Sequence, residues 1–302
     1  VQSTPALQSF VLAPTATTAQ SIVKKKECIE PWTVSTKDKS KFQVTQAQNT
    51  AAYTKNFPDK VHHLHMSFWN PEDLEINITM QGCVEDEVMT AKYSFYVECC
   101  KPNSHANPHV SHGWDEVLYA FNPNFQYMGK EKPQGKLPVR FDNMPKKLIM
   151  DFDVSTSNEN GYWHLTSGVW AYALTPDNMW RCCGHDPQPM DIHFWGTPEM
   201  KRNDKIVYYE YFTDYQGKTW GLKKETNYWD CGGNCTKYPY TILIALVNGS
   251  RKERVDLVPL FKRIVQLGWV KSDYGISNLN IGTEVLSGDA EVTVNKFQII
   301  TE

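Results

Sequence analysis

No stretch of 18 apolar residues occurs in the 302-residue chain, so no segment reads as a membrane-crossing helix and no membrane insertion is expected. Basic charge is not in excess: 31 Lys and Arg against 34 Asp and Glu give a net charge of −3, and no basic face emerges. Nucleic acid is therefore not an expected partner. Internal repeats are missing, and so are the paired CxxC knuckles of a structural zinc site. Helical periodicity is nearly absent as well. The chain opens at Val1 with neither Met nor a signal-like apolar core, the form expected of a processed mature protein.

Aromatic residues are abundant at 13%, with ten Trp and fifteen Tyr, a supply that suits sheet cores and flat surfaces that stack on sugar rings. Eight cysteines (Cys28, Cys83, Cys99, Cys100, Cys182, Cys183, Cys231 and Cys235) fit a disulfide-bonded chain, with about 105 pairings open. The neighbours in Cys99-Cys100 and in Cys182-Cys183 are expected to reach different partners, and Cys231 to Cys235 is short enough for a local loop. Three sequons, at Asn77, Asn234 and Asn248, agree with an N-glycosylated, secreted, extracellular protein.

Residues 1 to 27 are rich in Ala, Thr, Gln and Ser and read as an extended arm ahead of one domain spanning 28 to 302. Strand-like runs follow at 60–69, 74–80, 88–97, 148–154, 162–173, 206–212, 217–222 and 240–247. One helix is expected where Leu257, Leu260, Phe261, Ile264 and Val265 form a stripe, with Asp256 at its start and Gly268 at its end. Many short strands and a single helix predict an all-β protein, a β-sandwich or jelly roll.

The stretch Leu279 to Gly288 isolates one carboxylate. Leu279, Ile281, Thr283 and Val285 alternate with Asn280, Gly282, Glu284 and Leu286, and Gly288-Asp289 predicts a turn into a second strand at Ala290–Val294. His105, His109 and His112 share a segment with Pro102 and Pro108, near Asp115 and Glu116, while His62, His63 and His65 form a second group. The prolines argue for a solvated polar loop, so neither a metal nor a cofactor is expected.

Several motifs together resemble glycoside hydrolase family 12, the retaining endo-β-1,4-glucanases and xyloglucanases. Gly282-Thr-Glu284-Val-Leu-Ser-Gly288 followed by Val292-Thr-Val-Asn-Lys-Phe297 resembles the hairpin that holds the family's acid/base. Val255 to Phe261 stands where the family has its helix. Gly217-Lys-Thr-Trp220 and Tyr240-Thr-Ile-Leu-Ile, with Phe121 to Tyr127 and Met150-Asp-Phe-Asp153, resemble further segments, all in the family's order. The likeness runs mainly over 92–302.

The resemblance implies a concanavalin-like jelly roll with Glu284 as acid/base. The family's nucleophile stands in a Glu-x-Met-x-Trp strand. Placing Trp170 as that Trp puts Thr166 at the nucleophile position, a poor nucleophile without a base. Asp153 resembles the family's conserved Asp, which implies that it points toward the same cleft and, were the protein an active enzyme, would partner Glu284; Glu159 falls in the turn ahead of the strand. Tyr162, His164, Thr166, Gly168 and Trp170 share one side of their strand, so Tyr162, His164 and Trp170, with Asn280, are expected to meet sugar. The reading is a carbohydrate-binding or structural protein, a pseudoenzyme with little or no hydrolysis, whose partner is a β-glucan-like polysaccharide. The alternatives are an active endoglucanase using Glu284, and a self-associating subunit whose arm joins a neighbour's sheet edge.

Overall fold

The computed structural model describes residues 26–38, 50–70, 74–99, 104–113, 136–173, 188–197, 207–225 and 241–302. The arm, apart from its last residues, lies outside them, as do Phe121–Tyr127, Asp115, Glu116, Asn234, Cys100, Cys182, Cys183, Cys231 and Cys235. Among the described residues no helix is long and apolar enough to cross a membrane.

The described residues form fifteen strands and one α-helix. In chain order the strands are β1 (Glu27–Ser35), β2 (Thr50–Asn56), β3 (His62–Trp69), β4 (Leu74–Glu85), β5 (Val88–Cys99) and β6 (His105–Gly113). There follow β7 (Val139–Arg140), β8 (Leu148–Ala173), β9 (Gln188–Gly196), β10 (Glu210–Thr213), β11 (Thr219–Glu225) and β12 (Thr241–Leu246). Then come β13 (Lys252–Asp256), helix α1 (Val258–Gln266), β14 (Tyr274–Ile276) and β15 (Asn278–Thr301). The all-β jelly roll with one short helix is the architecture that the sequence predicts.

Two long strands organise it. β8 and β15 pair antiparallel from Gly282–Thr166 to Thr301–Leu148. Each serves two sheets. The first half of β15 pairs with β6, which continues to β3 and β2, and its second half pairs with β5, β4 and β1. The second half of β8 leads into β9, β12, β11 and β10, whereas its first half takes β13. Strands that pass from one sheet to the other make the corners of a sandwich.

This replaces the expected hairpin at Gly288-Asp289 and the expected turn at Ser155–Gly161. Each is a bend inside a continuous strand: β15 is paired on both edges at Gly288-Asp289, and β8 stays paired to β15 through Ser155–Gly161. Gly161 and Gly288 face one another at the bend with φ of 91° and 112°. A Cβ at Gly288 would stand 2.1 Å from the Asn160 carbonyl oxygen, and one at Gly161 would stand 2.4 Å from that of Ser287. Gly288→Ala therefore combines a forbidden backbone region with a clash, and its expected cost is about 1–3 kcal/mol, measured as a lower urea midpoint.

The core follows the alternation. Leu279, Ile281, Thr283 and Val285 are buried on β15, as are Trp163, Leu165, Val169 and Ala171 on β8. Trp163 meets Phe95 edge-on at 5.8 Å and Trp195 at 5.2 Å. Helix α1 buries Val258, Leu260, Phe261 and Ile264, and the Val258 amide donates to Asp256 Oδ1 at 3.0 Å. Gly268 ends it with φ of 69°. Cys28 and Cys83 face each other across β1 and β4 and are disulfide-bonded.

The predicted histidine loop is a strand. β6 lies between β3 and β15, and cross-strand pairing sets His62 against His112 and His65 against His109. All four rings are buried, not solvated. Pro108 is tolerated because the ladder to β15 is paired at Gly282–His109 and Val285–Ala106, leaving the proline, which has no N–H to donate, in the interval between them.

Candidate active site

Three adjacent strands, β15, β8 and β9, build the site, and the period-2 rule puts alternate residues on one face. On β15 these are Asn280, Gly282 and Glu284, and on β8 they are His164, Thr166, Gly168 and Trp170. On β9 they are Pro189, Asp191 and His193. Registers match them in rows: Glu284 beside His164, then Gly282, Thr166 and His193, then Gly168 and Asp191. A bulge between Leu165 and Thr166 resets β9 against β8. The face opens into a cavity of about 260 Å³, lined among others by Trp69, Asn107 and His109 in addition to Thr166, Trp170, Asp191, Asn280 and Glu284.

Asp191 is the residue that sequence reasoning missed. One atom each from His164, Asp191, His193 and Glu284 lie within 4.8 Å of one another. Thr166 Oγ1 donates to Asp191 Oδ1 at 2.5 Å, and His193 Nε2 stands 2.8 Å from Asp191 Oδ2. Both carboxylate oxygens are thus held. Burial pushes the Asp191 carboxyl up, and so does the Glu284 charge, but the His193 imidazole beside it, with His164 adding to it, holds it below the usual carboxylate range. On the neighbouring strand His164 Nε2 stands 3.2 Å from Glu284 Oε2.

The strand itself reads Asp191-Ile192-His193-Phe194-Trp195, a carboxylate four residues before a Trp. That is the spacing of Glu-x-Met-x-Trp, with Asp for Glu and His for Met. The expectation that Trp170 marks that motif, which puts Thr166 at the nucleophile position, thus has a second strand of the same spacing beside it. Both strands have a Trp at the matching offset, and of the two residues four before it, Thr166 and Asp191, Asp191 is the carboxylate, with an atom within 4.8 Å of Glu284. Thr166 supports the Asp191 carboxylate.

The other candidates divide. Glu284, His164, Trp170 and Asn280 are at the site. Asn280 spends its amide on the backbone: its Oδ1 accepts from the Gly168 amide at 3.1 Å, and its Nδ2 donates to the Gly168 carbonyl at 2.5 Å. Asp153 is a correction. It pairs with Lys296 on β15, at the far end of the strands from Glu284, and its carboxylate meets Lys252 Nζ at 2.5 Å. The hydrogen bond from Lys252 holds it below the usual range, with burial opposing and Asn295 assisting. Tyr162 sits by the bulge opposite Ser287 and does not line the cavity. Glu159 is bound by Arg251 through two contacts of 2.8 Å. Trp69, on β3, also lines the cavity, although its run reads in sequence as a buried strand.

No protein-family model matches the chain, and no curated protein matches it. Solved structures do. A family 12 xyloglucanase from Bacillus licheniformis in complex with ligand superposes over 84% of this chain and 99% of its own, with a TM-score of 0.60 and 14% identity. Endoglucanase 3 of Trichoderma harzianum, from family GH12, covers 87% of this chain and 99% of its own at a TM-score of 0.57 and 10% identity. The catalytic domain of Humicola grisea Cel12A, in complex with a soaked thio cellotetraose, covers 83% of this chain and 96% of its own at 0.53 and 12%. At such identities the likeness is one of fold: this chain has the jelly roll seen in these family 12 glycoside hydrolase structures.

Proposed function

We propose that the protein is a secreted β-1,4-glucan hydrolase of the retaining type, with Asp191 as nucleophile and Glu284 as general acid/base. One observation favours this most: the Asp191 and Glu284 carboxylates approach within 4.8 Å. Retaining hydrolysis uses two carboxyl groups about 5–5.5 Å apart, one attacking the anomeric carbon while the other protonates the departing oxygen. Inverting enzymes need a wider gap, about 6.5–9.5 Å, to admit a water between them.

The surroundings support separate roles. Asp191 accepts from Thr166 and lies beside His193, so its ionised form is favoured for attack. Glu284 lies across from it, placed to deliver the proton to the leaving group. The glycosyl–Asp191 intermediate then forms as the glycosidic C–O bond breaks. Glu284, now ionised, takes a proton from the water that releases it. Trp69 and Trp170 give the cavity ring surfaces on which pyranose faces stack. Related folds were solved with a thio cellotetraose and, in a Sinorhizobium fredii xyloglucanase domain, with cellobiose. Secretion is supported by the Cys28–Cys83 disulfide and by the exposure of Asn77 and Asn248, two of the three sequon asparagines.

The test is reducing-sugar release from soluble β-1,4- and mixed-linkage glucans, wild type beside Glu284→Gln. Wild-type release is expected, reduced by about 10²–10⁴-fold in the variant. Glucan binding without release from wild type would replace hydrolysis with the groove-binding reading.

A further inference from the structure

The dyad has more company than hydrolysis requires. Retaining chemistry asks for two carboxylates, and this cleft adds two imidazoles, His164 and His193, with one atom of each of the four side chains within 4.8 Å of the others. We propose that His164, Asp191, His193 and Glu284 form a binding site for a divalent transition-metal cation, with Zn²⁺ the fitting probe. Where the hydrolytic reading above holds, the cation and glucan exclude one another.

Charge and donor type both point this way. Two carboxylates at this separation repel when both are ionised. A proton on one relieves the repulsion, and so does a dication shared by both. Paired imidazole and carboxylate donors suit Zn²⁺ and its first-row neighbours, not the oxygen-only preference of Ca²⁺ or Mg²⁺. Donor atoms around a tetrahedral Zn²⁺ stand about 3.3 Å apart, by the usual bond lengths of about 2.0–2.1 Å. Two contacts already approach that value: His193 Nε2 to Asp191 Oδ2 at 2.8 Å and His164 Nε2 to Glu284 Oε2 at 3.2 Å. The donors come from three neighbouring hydrogen-bonded strands, which hold their backbones beside one another.

His164 is an independent pointer. It is 2% exposed, and among the described residues neither of its buried ring nitrogens has a hydrogen-bond partner, although Nε2 stands 3.2 Å from Glu284 Oε2. A buried imidazole normally satisfies its nitrogens. A metal at the centre of the four side chains would satisfy Nε2 through its lone pair. Hydrolysis gives His164 no comparable task.

The experiment is calorimetric titration of the EDTA-treated, dialysed full chain with ZnCl₂, repeated on His164→Ala, His193→Ala and the shape-conserving Glu284→Gln. The visible absorption of added Co²⁺ serves as a second readout of coordination. One Zn²⁺ per chain is expected, with affinity at least about 10-fold weaker in each variant whose melting curve stays cooperative. Zn²⁺ should also raise the wild-type thermal midpoint and inhibit glucan hydrolysis, and EDTA should reverse the inhibition. No Zn²⁺ uptake by wild type, or uptake unchanged in all the folded variants, overturns the site. Hydrolysis without Zn²⁺ uptake would sink this inference and leave the hydrolase reading standing. Zn²⁺ uptake lost in the variants, from a protein that releases no sugar, would sustain the metal site and sink the hydrolase.

Discussion

Asp191→Asn is expected to lower glucan hydrolysis by on the order of 10³-fold or more while leaving the melting temperature near that of the wild type. The substitution keeps the shape of the side chain and an oxygen for Thr166 to donate to, but removes the negative charge that attacks the anomeric carbon. A vacated site sharpens the assignment. In Asp191→Gly, azide supplied in solution can enter from the side that Asp191 leaves open and attack the anomeric carbon directly. The expected product is a glycosyl azide of inverted configuration, identified by NMR, because only one displacement then occurs instead of two. If Asp191→Asn hydrolyses glucan within a few-fold of wild type, the nucleophile lies elsewhere and the proposed pair is wrong. Asp153→Asn serves as the control. Its carboxylate is occupied by Lys252 on the far part of the strands, and hydrolysis should not change.

Much of the architecture was legible because alternation along a strand is written residue by residue. Leu279 to Val285 gave the buried face and Asn280 to Glu284 the cleft face, and the helical stripe from Leu257 to Ile264 gave α1. What failed was local punctuation. Gly288-Asp289 and Asn158-Glu-Asn-Gly161 have turn composition, yet both are bends in continuous strands, because β15 and β8 stay paired to each other through them. Pro108 misled in the same way: it marks an interval in one ladder, not a loop. The site was half legible. Glu284 was found from its place in the alternation, whereas Asp191 was passed over because Trp170 offers the same offset on the neighbouring strand. The recoverable signal was Asp191-Ile-His193-Phe-Trp195, alternating polar and apolar with a carboxylate four residues ahead of a Trp. Choosing between two such strands is a question of which carboxylate comes near Glu284, and that belongs to paired strands rather than to either alone.

The buried histidines between β3 and β6 lead to a second large effect, in stability. His112 Nδ1 lies 3.0 Å from His62 Nε2, and His62 Nδ1 lies 2.6 Å from Asp59 Oδ2. Burial pushes the His112 imidazole down to about 3, helped by the charges of His62 and Lys136 and opposed by Asp59. In the unfolded chain a histidine protonates near pH 6.5. Between about pH 6.5 and 3 the unfolded state therefore binds a proton that the folded state refuses, and stability must fall as pH falls through that window. The slope from His112 alone is about 1.4 kcal/mol per pH unit, or roughly 3 kcal/mol between pH 6.5 and 4. Asp59 extends the loss. Burial raises its carboxyl, but hydrogen bonds from the His62 ring and from the His62 and Val61 amides outweigh this and hold it at about 2. Its contribution, present above the unfolded value near 3.9, disappears as pH drops from there toward 2. Urea unfolding at pH 7, 6, 5 and 4 measures the slope directly, with His112→Gln as the comparison. The variant should be less stable at pH 7 and yet lose less on acidification, so the two stability curves converge toward pH 4. Parallel curves would mean that His112 takes up its proton in the folded protein as readily as in the unfolded one.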